Sequence, residues 1–181
     1  MEKEKKYKIP QELELPMFAH HSVRWLSKCC EAPKGSELYR CVQDFSKSLN
    51  FPFPLLNPGI LMAYAYIEFV YPWEAFKEKR ENQNEIARSI DFNNLRVIKK
   101  GLNRKKLDDN VYLLSRIRNS ISHARFEIEP NLDIVFNDED KKKEDIFKAK
   151  IPCRDFGNLV QEYSQRLMEI KLFSRLEDFR V

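Results

Sequence analysis

The chain has 181 residues, 43% of them hydrophobic and 12% aromatic. That is enough apolar material for one folded domain, and it excludes a disordered chain. Only 4 Gly are present, so neither a G-x-G-x-x-G nor a Walker A phosphate loop occurs, and a formal net charge of +4 suits an anionic partner without demanding one.

Residues 1–15 are rich in charge and lack a clean period, which predicts an extended lead-in arm. The basic start MEKEKKYK has no apolar stretch behind it, so it does not read as a signal peptide. No apolar run reaches the ~18 residues needed to span a bilayer. Cys29, Cys30, Cys41 and Cys153 form no C-x-x-C pair. The expectation is a reduced, soluble, cytoplasmic protein with no membrane association.

From Pro16 to about Cys30, Phe18, Val23, Trp25, Leu26 and Cys29 fit a short helix. A second helix is expected from Ser36, a fair N-cap, to Leu49, with Leu38, Cys41, Val42 and Phe45 at helical spacing. FPFPLLNPG breaks regularity. Asn57-Pro58 then reads as a helix start, and ILMAYAYIEFVY behind it is apolar almost all round, which predicts a central buried helix. Glu68 is the one charge inside it and calls for a hydrogen bond or an ion pair.

Glu74 to Asn84 reads as a solvated segment. Ile90, Phe92, Leu95, Val97 and Ile98 suggest another short helix. Asp108 or Asp109 is expected to cap the next helix, running to about His123. The period then changes to alternation at Phe126, Ile128, Leu132, Ile134 and Phe136, with Pro130-Asn131 between the two runs. This predicts a hairpin. DEDKKKED (138–145) reads as a solvated loop, Phe147, Ala149 and Ile151 as a third strand, and Asp155 as the cap of a final helix. The sum is a mainly α domain with a small antiparallel sheet inserted before its last helix.

The segment RIRNSISHAR, residues 116–125, carries the candidate chemistry. At ~100° per residue, Leu113, Leu114, Ile117 and Ile121 form one apolar stripe, ~220–320° from Arg118. Ser122, Asn119 and His123 fall at ~40°, ~100° and ~140°, so Arg118 to His123 is expected opposite the core. On residues alone two readings stay open, a solvated face or a phosphate-handling site. For the second, Asn119 and His123 are one turn apart, Arg118 offers a planar fork for phosphate oxygens, and imidazole moves protons near neutrality. In-line phosphoryl transfer wants both an acid and a base, so a two-fold dimer would supply a second copy of the face.

RNSISH, Arg118 to His123, resembles the Arg-x(4–6)-His motif of HEPN domains, in the form where a polar residue follows the arginine. HARFEIEPNLDIVF resembles a subgroup in which a hairpin follows the motif, and NPGILMAYAYIEFVYP resembles that subgroup's apolar helix. The resemblance covers residues 36–176. It implies an up-and-down helical bundle over residues 36–181, preceded by an arm and short helix at 1–35. It further implies a metal-independent endoribonuclease, a toxin or phage-defence effector, that cuts RNA to 2′,3′-cyclic phosphate and 5′-hydroxyl ends as a homodimer without a cofactor. His123 would move the proton, Arg118 would stabilise the transition state, and Asn119 would orient phosphate or the histidine. An antitoxin or neighbouring defence protein is an implied partner. The alternative is a non-catalytic HEPN interaction or RNA-binding module.

Ser122, Arg116 and Arg125 flank the motif as candidate RNA-backbone contacts, although Arg125 can instead face the hairpin. Lys99, Lys100, Arg104, Lys105 and Lys106 form either an RNA-contacting cluster or a solvated connector. His20-His21 with Cys29 and Cys30 fits no standard zinc spacing, and no metal site is expected. Glu68 and Glu74 do not read as a catalytic carboxylate pair. A helical nucleic-acid binder outside the family would carry more net positive charge.

Overall fold

The computed structural model describes residues 11–49, 56–75, 80–100, 109–139 and 145–177. Helix α1 (Gln11–Cys30) begins within the expected arm, so residues 11–15 are helical rather than extended. Pro16 does not prevent this, because its fixed φ is a helical one and near the helix start it forfeits a single backbone hydrogen bond. Residues 1–10 lie outside the described part. Gly35 at φ 86 closes a turn in which Ser36 N–H donates to the Pro33 carbonyl at 3.0 Å. Ser36 then caps α2 (Glu37–Ser48) as expected, its hydroxyl accepting from Tyr39 N–H at 3.1 Å.

Asn57 caps α3 (Pro58–Ala65), accepting from Ile60 N–H at 3.1 Å, with Pro58 in the first turn. The apolar run does not stay α-helical. It passes through a π-helical turn, Tyr66–Val70, into the short α4 (Tyr71–Ala75). The wider turn directs Glu68, Phe69 and Val70 inward, where all three are buried.

Two expectations fail next. The segment read as solvated holds α5 (Arg80–Ser89), and Gln83 in it is buried. Its amide donates to the carbonyls of Pro72 and Trp73 at 3.3 Å each, backbone groups that no sequence pattern connects to it. The segment read as a further helix is strand β1 (Arg96–Lys99), whose β-branched Val97 pairs with Ala149. A strand needs a partner, and here Ala149, the partner of Val97, lies 52 residues downstream.

Helix α6 (Asp109–Ser122) is followed by β2 (Phe126–Ile128), β3 (Asp133–Glu139) and β4 (Ile146–Pro152), then by the long α7 (Cys153–Glu177). The antiparallel sheet has the order β1-β4-β3-β2, so a strand from before α6 joins the hairpin unit after it. Ile134, Phe136, Phe147, Ala149 and Ile151 are buried beneath the helices, with Phe136 5.1 Å from the Phe156 ring. Leu132 lies in the hairpin turn at φ 63, exposed, rather than in a strand. Asp155 falls in the first turn of α7, not at its cap, and accepts from Asn94 at 3.1 Å.

The charge block 138–145 is not simply a solvated loop. Asp138 and Glu139 belong to β3, and Asp138 and Asp145 are buried because Arg116 of α6 lies between them. Residues 140–144 lie outside the described part.

Candidate functional site

Helix α6 turns Leu114, Ile117 and Ile121 into the core, as its stripe requires, while Leu113 is only half-buried. Ser120 borders this stripe on the wheel, while the face expected opposite the core is not uniformly open. Ser120 is fully buried, its hydroxyl returning to the Arg116 carbonyl at 2.9 Å. Arg118 has a side chain only 17% exposed, salt-bridged to Glu74 with its guanidinium 5.5 Å over the Trp73 ring. Its charge also acts on the phenol of Tyr163, whose pKa burial raises and Arg118 partly draws back. Arg118 therefore packs within its own domain, contrary to the wheel, because α4 supplies a carboxylate and an indole to receive it.

Asn119 is half-buried and donates through Nδ2 to Asp138 at 3.1 Å. The same Asp138 oxygen accepts from Arg116 at 2.8 Å, and the other arm of Arg116 reaches Asp145. Burial works against the Arg116 charge, but the two carboxylates and the Tyr112 ring beneath it outweigh burial and raise its pKa. Arg116, read as an RNA-backbone contact, is thus held inside the fold by α6, β3 and the start of the β4 segment.

Ser122 and His123 are exposed at the end of the helix. Ala124 adopts φ 51, its N–H donating to Ile121 O at 3.1 Å, and Arg125 N–H donates to Ser120 O at 2.7 Å. These two bonds are a Schellman closure with alanine where glycine is usual. They leave His123 as the last residue before the left-handed turn, exposed just past the end of α6. Arg125 does face the hairpin: its guanidinium donates to the Glu139 carbonyl at 2.9 Å, and its own carbonyl accepts from Asn137 N–H at 2.9 Å.

The other sequence candidates sit elsewhere. Lys99 and Lys100 are exposed at the end of β1, and residues 104–106 lie outside the described part. Glu68 bonds to the Ser164 hydroxyl in the interior while Glu74 serves Arg118, so the two carboxylates have separate duties. Burial pushes Glu68 up to about 7, against the Ser164 hydrogen bond. His20 lies 3.3 Å from the Tyr64 hydroxyl, its pKa lowered by burial and by the neighbouring His21 and Arg24. Among the described residues, no three His, Cys, Asp or Glu side chains cluster to hold a metal ion.

Trp73, Asp138 and Asp145 were not singled out from sequence. A signal for Asp138 existed: Ile134, Phe136 and Asp138 share one face of β3, and two of the three are core residues.

A family profile described as HEPN pEK499 p136 matches residues 3–172. The chain belongs to this HEPN family. No curated protein and no solved structure matches it. As a HEPN protein it falls within a class of nuclease and RNA-binding type domains, and Arg118 to His123 stands late in its bundle, at the end of α6. Among the described residues no helix is long and apolar enough to cross a membrane.

Proposed function

We propose that this HEPN protein is a metal-independent endoribonuclease that cuts RNA to 2′,3′-cyclic phosphate and 5′-hydroxyl ends, acting in the cytoplasm as a toxin or defence effector. The observation that supports this reading is the run of Arg118 and Asn119 in the last two turns of α6 with His123 exposed just past its end. His123 moves the proton of the 2′-hydroxyl or of the leaving oxygen. Arg118 stabilises charge on the phosphorane-like transition state once phosphate competes with Glu74 for its guanidinium. Asn119 orients a reacting group. Ser122 is exposed beside His123 and is available to the RNA backbone. A second copy of the chain, related by a two-fold axis, supplies the second proton-transfer group, and an antitoxin or neighbouring protein restrains the activity.

A second reading has its own support. The salt bridge from Arg118 to Glu74 occupies the arginine within the domain, which favours a HEPN module that binds RNA or a partner without cutting.

The deciding experiment is incubation of purified protein with tRNA and with unstructured RNA in EDTA. Cleavage is expected, with His123→Ala and Arg118→Ala each slower by ~10²-fold or more and Asn119→Ala less affected. Cleavage that survives His123→Ala, or that needs a divalent metal, would overturn the mechanism. RNA binding without cleavage would favour the second reading.

A further inference from the structure

Asn119 is the member of the motif whose role is least defined, and its neighbour decides it. Asp138 is the penultimate residue of β3, buried, and one of its oxygens receives both the Arg116 guanidinium at 2.8 Å and the Asn119 amide nitrogen at 3.1 Å. A carboxylate paired with a guanidinium has only lone pairs to offer. The amide must therefore turn its NH2 end to Asp138, whichever way an isolated asparagine would lie. Oδ1 is then the end of the amide turned away from the sheet. It has lone pairs and no proton, so it repels a phosphate oxygen and matches an O–H or N–H donor.

We infer that Asp138 is a positioning residue that sets Asn119 as a hydrogen-bond acceptor, and that the group Asn119 Oδ1 accepts from is the ribose 2′-hydroxyl of an RNA substrate. This rests on the ribonuclease reading. The 2′-hydroxyl is the donor that RNA has and DNA lacks. It is also the nucleophile of a reaction that ends in a 2′,3′-cyclic phosphate, so a fixed acceptor beside it orients the attacking oxygen in the bound complex. As the bond to phosphorus forms, the proton passes to the proton-transfer group of the site and the P–O5′ bond breaks, the 5′-oxygen leaving as a hydroxyl. The hairpin that follows the motif thereby becomes part of the site: it contributes no atom to the substrate but determines which end of Asn119 the substrate meets.

The test is an exchange of the two side chains. Asn119→Asp sets a second carboxylate against Asp138. Adding Asp138→Asn restores a donor facing an acceptor, leaves an oxygen for Arg116, and keeps an acceptor at position 119. Asn119→Asp alone is expected to melt lower and to cleave RNA about 10²-fold more slowly, and the double variant to recover both, to within about 10-fold of wild-type cleavage. A folded double variant that regains its melting temperature but not its cleavage would mean that the amide N–H, not the oxygen, serves the reaction. A double variant that melts no higher than Asn119→Asp would overturn the pairing. The substrate class is read separately in the cleavage-deficient His123→Ala background. There, RNA should bind more tightly than DNA of the same sequence, and adding Asn119→Ala should bring the ratio toward one. An unchanged ratio would remove the 2′-hydroxyl from the proposal. Should the wild type cut no RNA, the ribonuclease reading and the role in cleavage fall together, while the melting temperatures still decide whether Asp138 holds Asn119.

Discussion

Arg118 and Glu74, 44 residues apart in the chain, meet as a salt bridge beside the Trp73 ring. The pairing places a negative charge where the proposed reaction needs a phosphate. An RNA backbone approaching Arg118 must displace the Glu74 carboxylate or share the guanidinium with it. Glu74→Gln keeps the shape and removes the repulsion. It should tighten RNA binding by about 3- to 10-fold at low salt, measured in the His123→Ala background so that the RNA stays intact. Weaker binding would mean that Glu74 chiefly holds Arg118 in position.

Ala124 adopts φ 51 in the Schellman closure that ends α6. A side chain there is strained, and glycine is not. Ala124→Gly should raise stability by about 1 kcal/mol, read as a higher denaturation midpoint with an unchanged slope, and should leave cleavage intact. Loss of stability would show that the alanine methyl makes a contact worth more than the strain it causes.

Glu68 gives the fold a pH dependence of definite sign. Burial lifts its carboxyl from the ordinary 4.5 to about 7. The folded state therefore holds a proton that the unfolded state releases between those values. The contribution to stability is full below about 4.5 and is lost as pH rises toward and through about 7. Glu68→Gln mimics the protonated form and retains an acceptor for Ser164. The variant should melt no higher than wild type at pH 4 and clearly higher at pH 8. An equal difference at both pH values would refute the assignment.

Assembly can be tested at Ser122, which is exposed one residue before His123. If two copies bring their motifs together, Ser122→Cys in a background with Cys30 and Cys41 replaced by serine should form a disulfide-linked dimer under mild oxidant. Light scattering of the unmodified protein should give twice the chain mass. A strict monomer at micromolar concentration, or a dimer in which residue 122 never cross-links, would argue against a shared cleft.

Much of this protein was legible in the sequence because the deciding physics is local. Asn57-Pro58 and Ser36 announce helix starts through their own side chains, which reach backbone groups three residues on. The stripe of Leu114, Ile117 and Ile121 follows from helix period alone, and the alternation from Phe126 to Phe136 identifies a hairpin whose strands are close in sequence. Arg118, Asn119 and His123 could be brought together on one short helix segment for the same reason.

What the tertiary structure alone decided involves partners far along the chain. The β-branched Val97 does not by itself separate strand from short helix until β4 arrives to pair with Arg96, Val97 and Lys99. Gln83 reads as solvated until the carbonyls of Pro72 and Trp73 bend over it. The helical wheel assigned Arg118 and Asn119 to an open face because it knows only angles. The fold brings Glu74 and Asp138 to that face, and a charge or amide takes its direction from whichever group stands opposite. Periodicity can therefore name the residues of a candidate site, while the direction each side chain takes is set by contacts between α4, α6 and β3 that no local pattern encodes.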